Sequence, residues 1–242
     1  MTRRSAHLMV VTFLLSTALL HADSPRFDPA TMMRADSIQR GMTGYGLSVF
    51  EGVTIERFDV EVLGVLSKVI AGEDLILARI TSGPVVERES GVIGGMSGSP
   101  IYINGRLVGA LAYGWGFSRE PICGITPIEA MLDSHPADGG AQALLAPDHP
   151  ARGAMVDGRW VIRANVQPIS ESGARFAGPG IINLQPVAPL IYASGLKPES
   201  MQALTDALEP YGIEPMAGPG RMSDPVPVEL APGSAVGVSF AT

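Results

Sequence analysis

The run Gly94-Gly95-Met96-Ser97-Gly98-Ser99-Pro100-Ile101-Tyr102-Ile103 sets one serine at the apex of a small-residue turn that feeds straight into an apolar stretch. Glycines near Ser97 permit positive φ and leave the hydroxyl open to a substrate. The backbone N–H groups of Gly95 and Ser97 would then converge on a developing oxyanion, as acyl transfer requires. The chemistry that fits is nucleophilic attack on an acyl carbon, with Ser97 as nucleophile and the Gly95 N–H as an oxyanion-hole donor. Gly, Ser and Pro also dominate ordinary turns between strands, so the local pattern by itself reads first as a plain connection.

A serine hydroxyl needs a neighbouring group to take its proton, most often histidine. The chain has four histidines, and His7 and His21 lie in a leader-like segment. His135 and His149 fall in a stretch rich in Pro, Ala, Gly and Asp, Ser134-His135-Pro136 through Pro147-Asp148-His149-Pro150, which reads as a linker with solvated histidines. A serine–lysine dyad has only Lys68 and Lys197 to draw on, and Lys68 reads as a surface residue at a strand end. Asp74 opens the apolar run Leu75-Ile76-Leu77 and is either the acid of a triad or the cap of a strand start. Ser82 stands at the far end of the same run, where a carboxylate would be expected.

Several pieces in order from Met33 to Asp133 resemble the SpoIVB-type serine peptidase family. They are Asp36-Ser37-Ile38-Gln39-Arg40-Gly41-Met42-Thr43-Gly44-Tyr45-Gly46-Leu47-Ser48-Val49-Phe50, Phe58-Asp59-Val60-Glu61-Val62-Leu63-Gly64-Val65, and Asp74-Leu75-Ile76-Leu77-Ala78-Arg79-Ile80. The serine loop follows, then Asn104-Gly105-Arg106-Leu107-Val108-Gly109-Ala110-Leu111 and Gly124-Ile125-Thr126-Pro127-Ile128-Glu129. The loop also has the Gly-x-Ser-Gly-x-Pro spacing of chymotrypsin-like peptidases, with Met96 where those enzymes usually carry aspartate. The resemblance implies an exported serine endopeptidase-like domain of chymotrypsin-like β-fold with Ser97 in the nucleophile position. In relatives, a Gly-His motif carrying the base follows a Pro-Gly-Ser-Ala-Val-Gly stretch. Pro232-Gly233-Ser234-Ala235-Val236-Gly237-Val238 is present and no Gly-His motif follows it up to Thr242. The expectation is an N-terminal piece of a longer protein that is inactive by itself, the alternative being a non-catalytic cell-envelope binding or signalling module.

The elements that must position Ser97 are short strands. Glu56 to Leu66, Leu75 to Thr81, Pro100 to Ile103 and Arg106 to Tyr113 are rich in Val, Ile and Leu, and Asn104-Gly105 signals a hairpin between the last two. Thr126 to Leu132 predicts a short closing helix, with Thr126 and Pro127 at its start. Arg159 to Val166 predicts one strand, and Pro198 to Leu208 a helix with Met201, Leu204 and Leu208 on a core-facing stripe. The fold class is therefore mainly β, and the resemblance implies that the strands form a partial chymotrypsin-like barrel, with a short closing helix and an irregular α+β C-terminal segment. The expected organisation is a signal peptide over 1–22, the peptidase-like segment over 33–133, a linker over 134–157, and a second segment or inserted subdomain over 158–242.

Composition bounds the rest. In 242 residues, 29 glycines and 20 prolines favour short strands and many turns, while 46% hydrophobic content is enough to build one or two packed cores. Arg3-Arg4, the apolar run Leu8 to Leu20 and the exit at Ala22 have the order of a secretory signal, with an uncleaved anchor as the other reading. Export to the periplasm, cell envelope or medium is expected. Cys123 is the only cysteine, so no intramolecular disulfide can form, and its apolar neighbours point to a buried thiol. No metal-ligand spacing occurs and no cofactor is expected. A net charge of −7 argues against nucleic acid or an anionic membrane as partner, and the family resemblance implies a protein or peptide substrate.

Overall fold

The computed structural model describes residues 26–51, 53–70, 72–114, 120–133, 152–167, 174–187, 191–193, 195–208, 215–217 and 229–234. The leader, His135 and His149 lie outside these residues.

Six strands form the body of the fold: β1 (Thr43–Glu51), β2 (Thr54–Ile70), β3 (Glu73–Ile80), β4 (Pro100–Ile103), β5 (Arg106–Gly114) and β6 (Ile122–Pro127). They pair in the order β1-β4-β5-β6-β3-β2, and β2 pairs back onto β1. Every one of these pairings is antiparallel, so the sheet is a closed barrel without free edges, of the chymotrypsin-like kind.

The strand sequences explain why two cores exist. In β3, Ile76, Ala78 and Ile80 face the barrel interior while Leu75 and Leu77 face a second apolar cluster, so alternation puts hydrophobic residues on both faces. In β2, Phe58, Val60 and Val62 point inward, but the inward set continues at Val65, with Leu63 and Leu66 outside. The change of parity comes from a bulge between Val62 and Gly64, where an extra residue flips the side chains that follow. Gly64 has φ +150°, and a Cβ there would lie 2.2 Å from the Gly153 carbonyl oxygen, so the neighbouring chain packs on bare backbone.

That neighbouring chain is β7 (Ala154–Val156), which bridges β2 at Gly64 and pairs with β8 (Arg159–Val161). β7 lies at the end of the stretch read as a linker, the rest of which, through 151, is not described. β9 (Arg163–Val166) runs parallel to β11 (Ile181–Pro186), β10 (Phe176–Gly178) pairs with β11, and β11 reaches the end of β5 at Tyr113 and Gly114. Ala154, Val156, Val161, Ile182 and Leu184 close the second core over Leu66, Leu75, Leu77 and Ile122.

Local expectations fare unevenly. The hairpin at Asn104-Gly105 is present with φ +51° and +75°, the two positive values a type I′ turn requires. Thr126 and Pro127 end strand β6 instead of starting the helix, which begins at Ile128 (α2, Ile128–Asp133). The single strand expected over 159–166 is broken at Ile162, whose N–H turns to the Gly180 carbonyl. Helix α3 (Pro198–Leu208) forms as expected, but none of its residues is fully buried; Met201, Leu204 and Leu208 are only half-buried. Cys123 is fully buried, and burial pushes its thiol pKa up to about 12, leaving it inert at neutral pH.

Candidate active site

The connection from β3 to β4 carries the serine loop, after a one-turn helix α1 (Pro84–Glu87). Two consecutive turns shape it. The Met96 N–H donates to the Ile93 carbonyl at 3.3 Å and the Ser99 N–H to the Met96 carbonyl at 3.0 Å. Gly95 (φ +89°) and Gly98 (φ +85°) occupy the third position of each turn, where a type II turn needs glycine. Between them, Met96 is 1% exposed and packs in the barrel core, acting as the plug from which Ser97 is raised.

The loop's exit is stitched to β5. The Gly98 N–H donates to the Leu111 carbonyl at 2.8 Å, and the Leu111 N–H returns to the Ser99 carbonyl at 3.0 Å. Ser97 and Gly95 are exposed, and the Ser97 hydroxyl and both backbone N–H groups make no hydrogen bond among the described residues. A free hydroxyl beside free amide donors on a loop anchored at both ends is what an acyl-transfer nucleophile needs before substrate arrives.

The other candidates fall elsewhere. Asp74 accepts a hydrogen bond from the Lys68 N–H at 3.1 Å and ties the ends of β2 and β3 together, the capping role left open for it. Lys68 is exposed, with φ +52° near the end of β2. Ser82 does have a carboxylate beside it, but from another strand: its hydroxyl donates to Asp59 Oδ2 at 2.8 Å and accepts from the Asp59 N–H at 3.1 Å. Ser82, and then Arg57, hold the Asp59 carboxyl below the usual carboxylate range. Sequence reasoning missed this pair, and the quoted Phe58-Asp59-Val60 motif was its only signal.

An open groove of about 590 Å³ adjoins that corner, lined by Thr43, Tyr45, Arg57, Asp59, Thr81 and Asn104 among others, and includes no residue of the serine loop. Among the described residues no group of three or more His, Cys, Asp or Glu is placed to hold a metal. Nor is any helix among them long and apolar enough to cross a membrane. Pro232-Gly233-Ser234 closes a turn against the barrel, with the Ser234 N–H donating to the Ala231 carbonyl at 2.9 Å. A Cβ on Gly233 (φ +89°) would lie 2.7 Å from Leu47 Cβ, so this segment packs tightly on β1.

With that geometry in place, comparison with protein families matches residues 22–132 to SpoIVB peptidase S55. Over these residues the chain is similar to the SpoIVB peptidase family. The match spans β1 to β6 and the serine loop, that is, the whole barrel, and leaves β7 onward outside. No curated protein and no solved structure matches the chain.

Proposed function

We propose that this S55 domain is the serine-bearing part of an exported endopeptidase, in which Ser97 attacks the carbonyl of a peptide bond and the Gly95 and Ser97 N–H groups receive the oxyanion. The observation that carries this reading is the unengaged Ser97 hydroxyl, raised on a buried Met96 plug and tied by Gly98 and Ser99 to β5, within a segment of peptidase family. Substrates are proteins or peptides, and the leader-like N-terminus supports export. His135 and His149 lie in Pro- and Gly-rich sequence, and Lys68 is a solvent-facing residue by the β2–β3 turn. On this reading none of the three is the base, and the 242 residues by themselves are inactive by the family mechanism.

The test is labelling by a fluorophosphonate, which reacts with activated serines. The longest natural form of the protein is expected to label and its Ser97→Ala variant to stay blank. Equal labelling of both removes Ser97 as nucleophile and favours the non-catalytic reading of the domain. Robust Ser97-dependent turnover by the 242-residue chain itself would restore His135 or His149 as the base.

A further inference from the structure

The pairing of β1 with β4 runs Gly44 opposite Ile103, Tyr45 opposite Tyr102 and Gly46 opposite Ile101, and there the ladder ends. The next residue on β4 is Pro100, which has no N–H to give. Continuing the same register sets Leu47 opposite Pro100 and Ser48 opposite Ser99. At that pair the side chains take over: the Ser99 hydroxyl donates to the Ser48 hydroxyl at 2.9 Å. Ser48 is 3% exposed and Ser99 6%, so this is a buried polar pair at the rim of an apolar core. A buried hydroxyl is tolerated only when hydrogen-bonded, which makes the pair specific for one arrangement of loop and strand.

The position of the pair gives it a consequence for Ser97. On the β5 side the loop is held by two backbone hydrogen bonds, at Gly98 and Ser99. On the β1 side, beyond Pro100, the Ser48–Ser99 contact is the hydrogen bond found among the described residues. Ser99 is also the last residue of the turn that carries Ser97, and its N–H closes that turn onto Met96. We infer that Ser48 is a positioning residue for the nucleophile: through Ser99 it fixes the β1 side of the serine turn, replacing the backbone hydrogen bond that Pro100 cannot make. This rests on Ser97 being the nucleophile. Ser48 touches no reacting atom and acts on the distance and angle at which the Ser97 hydroxyl and its neighbouring N–H groups meet an acyl carbon.

The test separates positioning from mere stability. In the longest natural form of the protein, Ser48→Ala is expected to slow fluorophosphonate acylation of Ser97 at saturating probe by roughly 10- to 100-fold, with half-saturation unchanged. Amide exchange over residues 94–99 rises in the same variant. Ser48→Thr, which keeps a hydroxyl, retains the rate. Ser48→Ala also leaves Ser99 buried without a partner, so its melting temperature falls. The double variant Ser48→Ala with Ser99→Ala removes both polar groups and recovers the melting temperature, but not the acylation rate. Wild-type acylation by Ser48→Ala overturns the inference, and so does a double variant that recovers rate together with stability. No Ser97 labelling in the unsubstituted protein defeats the nucleophile reading itself, a result distinct from either of these.

Discussion

The connection between β3 and β4 has a serine near each end, and the two occupy opposite chemical situations. Ser82 follows β3, and both the donor and the acceptor capacity of its hydroxyl are taken up by Asp59. Ser97 precedes β4 with its hydroxyl unengaged, on a turn whose backbone is held while its two nearest N–H donors stay open. A carboxylate beside a serine is therefore not what sets the proposed nucleophile apart here. Asp59 uses Ser82 to lock the end of β3 onto β2, whereas the Ser97 turn spends its hydrogen bonds on backbone and leaves the side chain free.

The largest expected difference between the two ends is in reactivity. Ser97→Ala should abolish fluorophosphonate labelling of the longest natural form, while Ser82→Ala should leave the labelling rate within about twofold, since Ser82 bonds to Asp59 and makes no hydrogen bond to the serine turn. Mass spectrometry of the labelled peptide measures both, and a label on Ser82 would reverse the comparison.

Next comes the plug under the Ser97 turn. Met96→Ala removes a side chain that is 1% exposed within the barrel core and is expected to cost about 2–5 kcal/mol in denaturant unfolding. A cost near zero would mean that Met96 does not anchor the turn.

The glycines of the two ends make a finer contrast. A Cβ on Gly98 meets nothing within 4 Å, so Gly98→Ala carries only the strain of φ +85°, about 1–2 kcal/mol. Gly83, beside Ser82, has φ +90° and its Cβ would come within 3.0 Å of the Arg57 carbonyl oxygen and Phe58 Cβ. Gly83→Ala should therefore cost more than Gly98→Ala in the same unfolding experiment. The reverse order would place the tighter backbone packing at the serine loop.

The smallest effect concerns pH. The Asp59 carboxyl is held low first by Ser82 and then by Arg57, so its contribution to stability is present above the usual aspartate range, about 3.9, and is lost as pH falls through its folded value. Ser82→Ala removes part of that acid-side dependence. Because Asp59 is 44% exposed, the cost at pH 7 should stay below about 1 kcal/mol. Thermal melts of the chain between pH 2 and 7 measure it; an unchanged acid limb would show that Arg57 alone holds the carboxyl down.

How much was legible in the sequence depends on how local each signal was. β4 and the Asn104-Gly105 turn were readable because turn type follows from two adjacent residues. β1 was not among the expected strands, and Gly44 and Gly46 interrupt its apolar pattern. They are needed because Cβ atoms there would fall 2.1 Å from the Tyr102 carbonyl oxygen and 2.1 Å from the Phe58 ring. β6 was missed in Ile122-Cys123-Gly124-Ile125, where Gly124 makes room for the Tyr113 side chain. In both strands the glycine answers a residue of the paired neighbouring strand, which no window along the chain reveals.

The sequence by itself carried the similarity of residues 22–132 to a peptidase family and the turn that raises Ser97, because a motif and a glycine at the third position of a turn are written in consecutive residues. Only the tertiary structure decided that Ser82 is bound to Asp59, 23 residues away, and Ser99 to Ser48, 51 residues away. Those contacts depend on strand register. Register is fixed by the bulge in β2, the loss of an N–H at Pro100 and the packing of two cores against opposite faces of β3, all of which act together only once the barrel has closed.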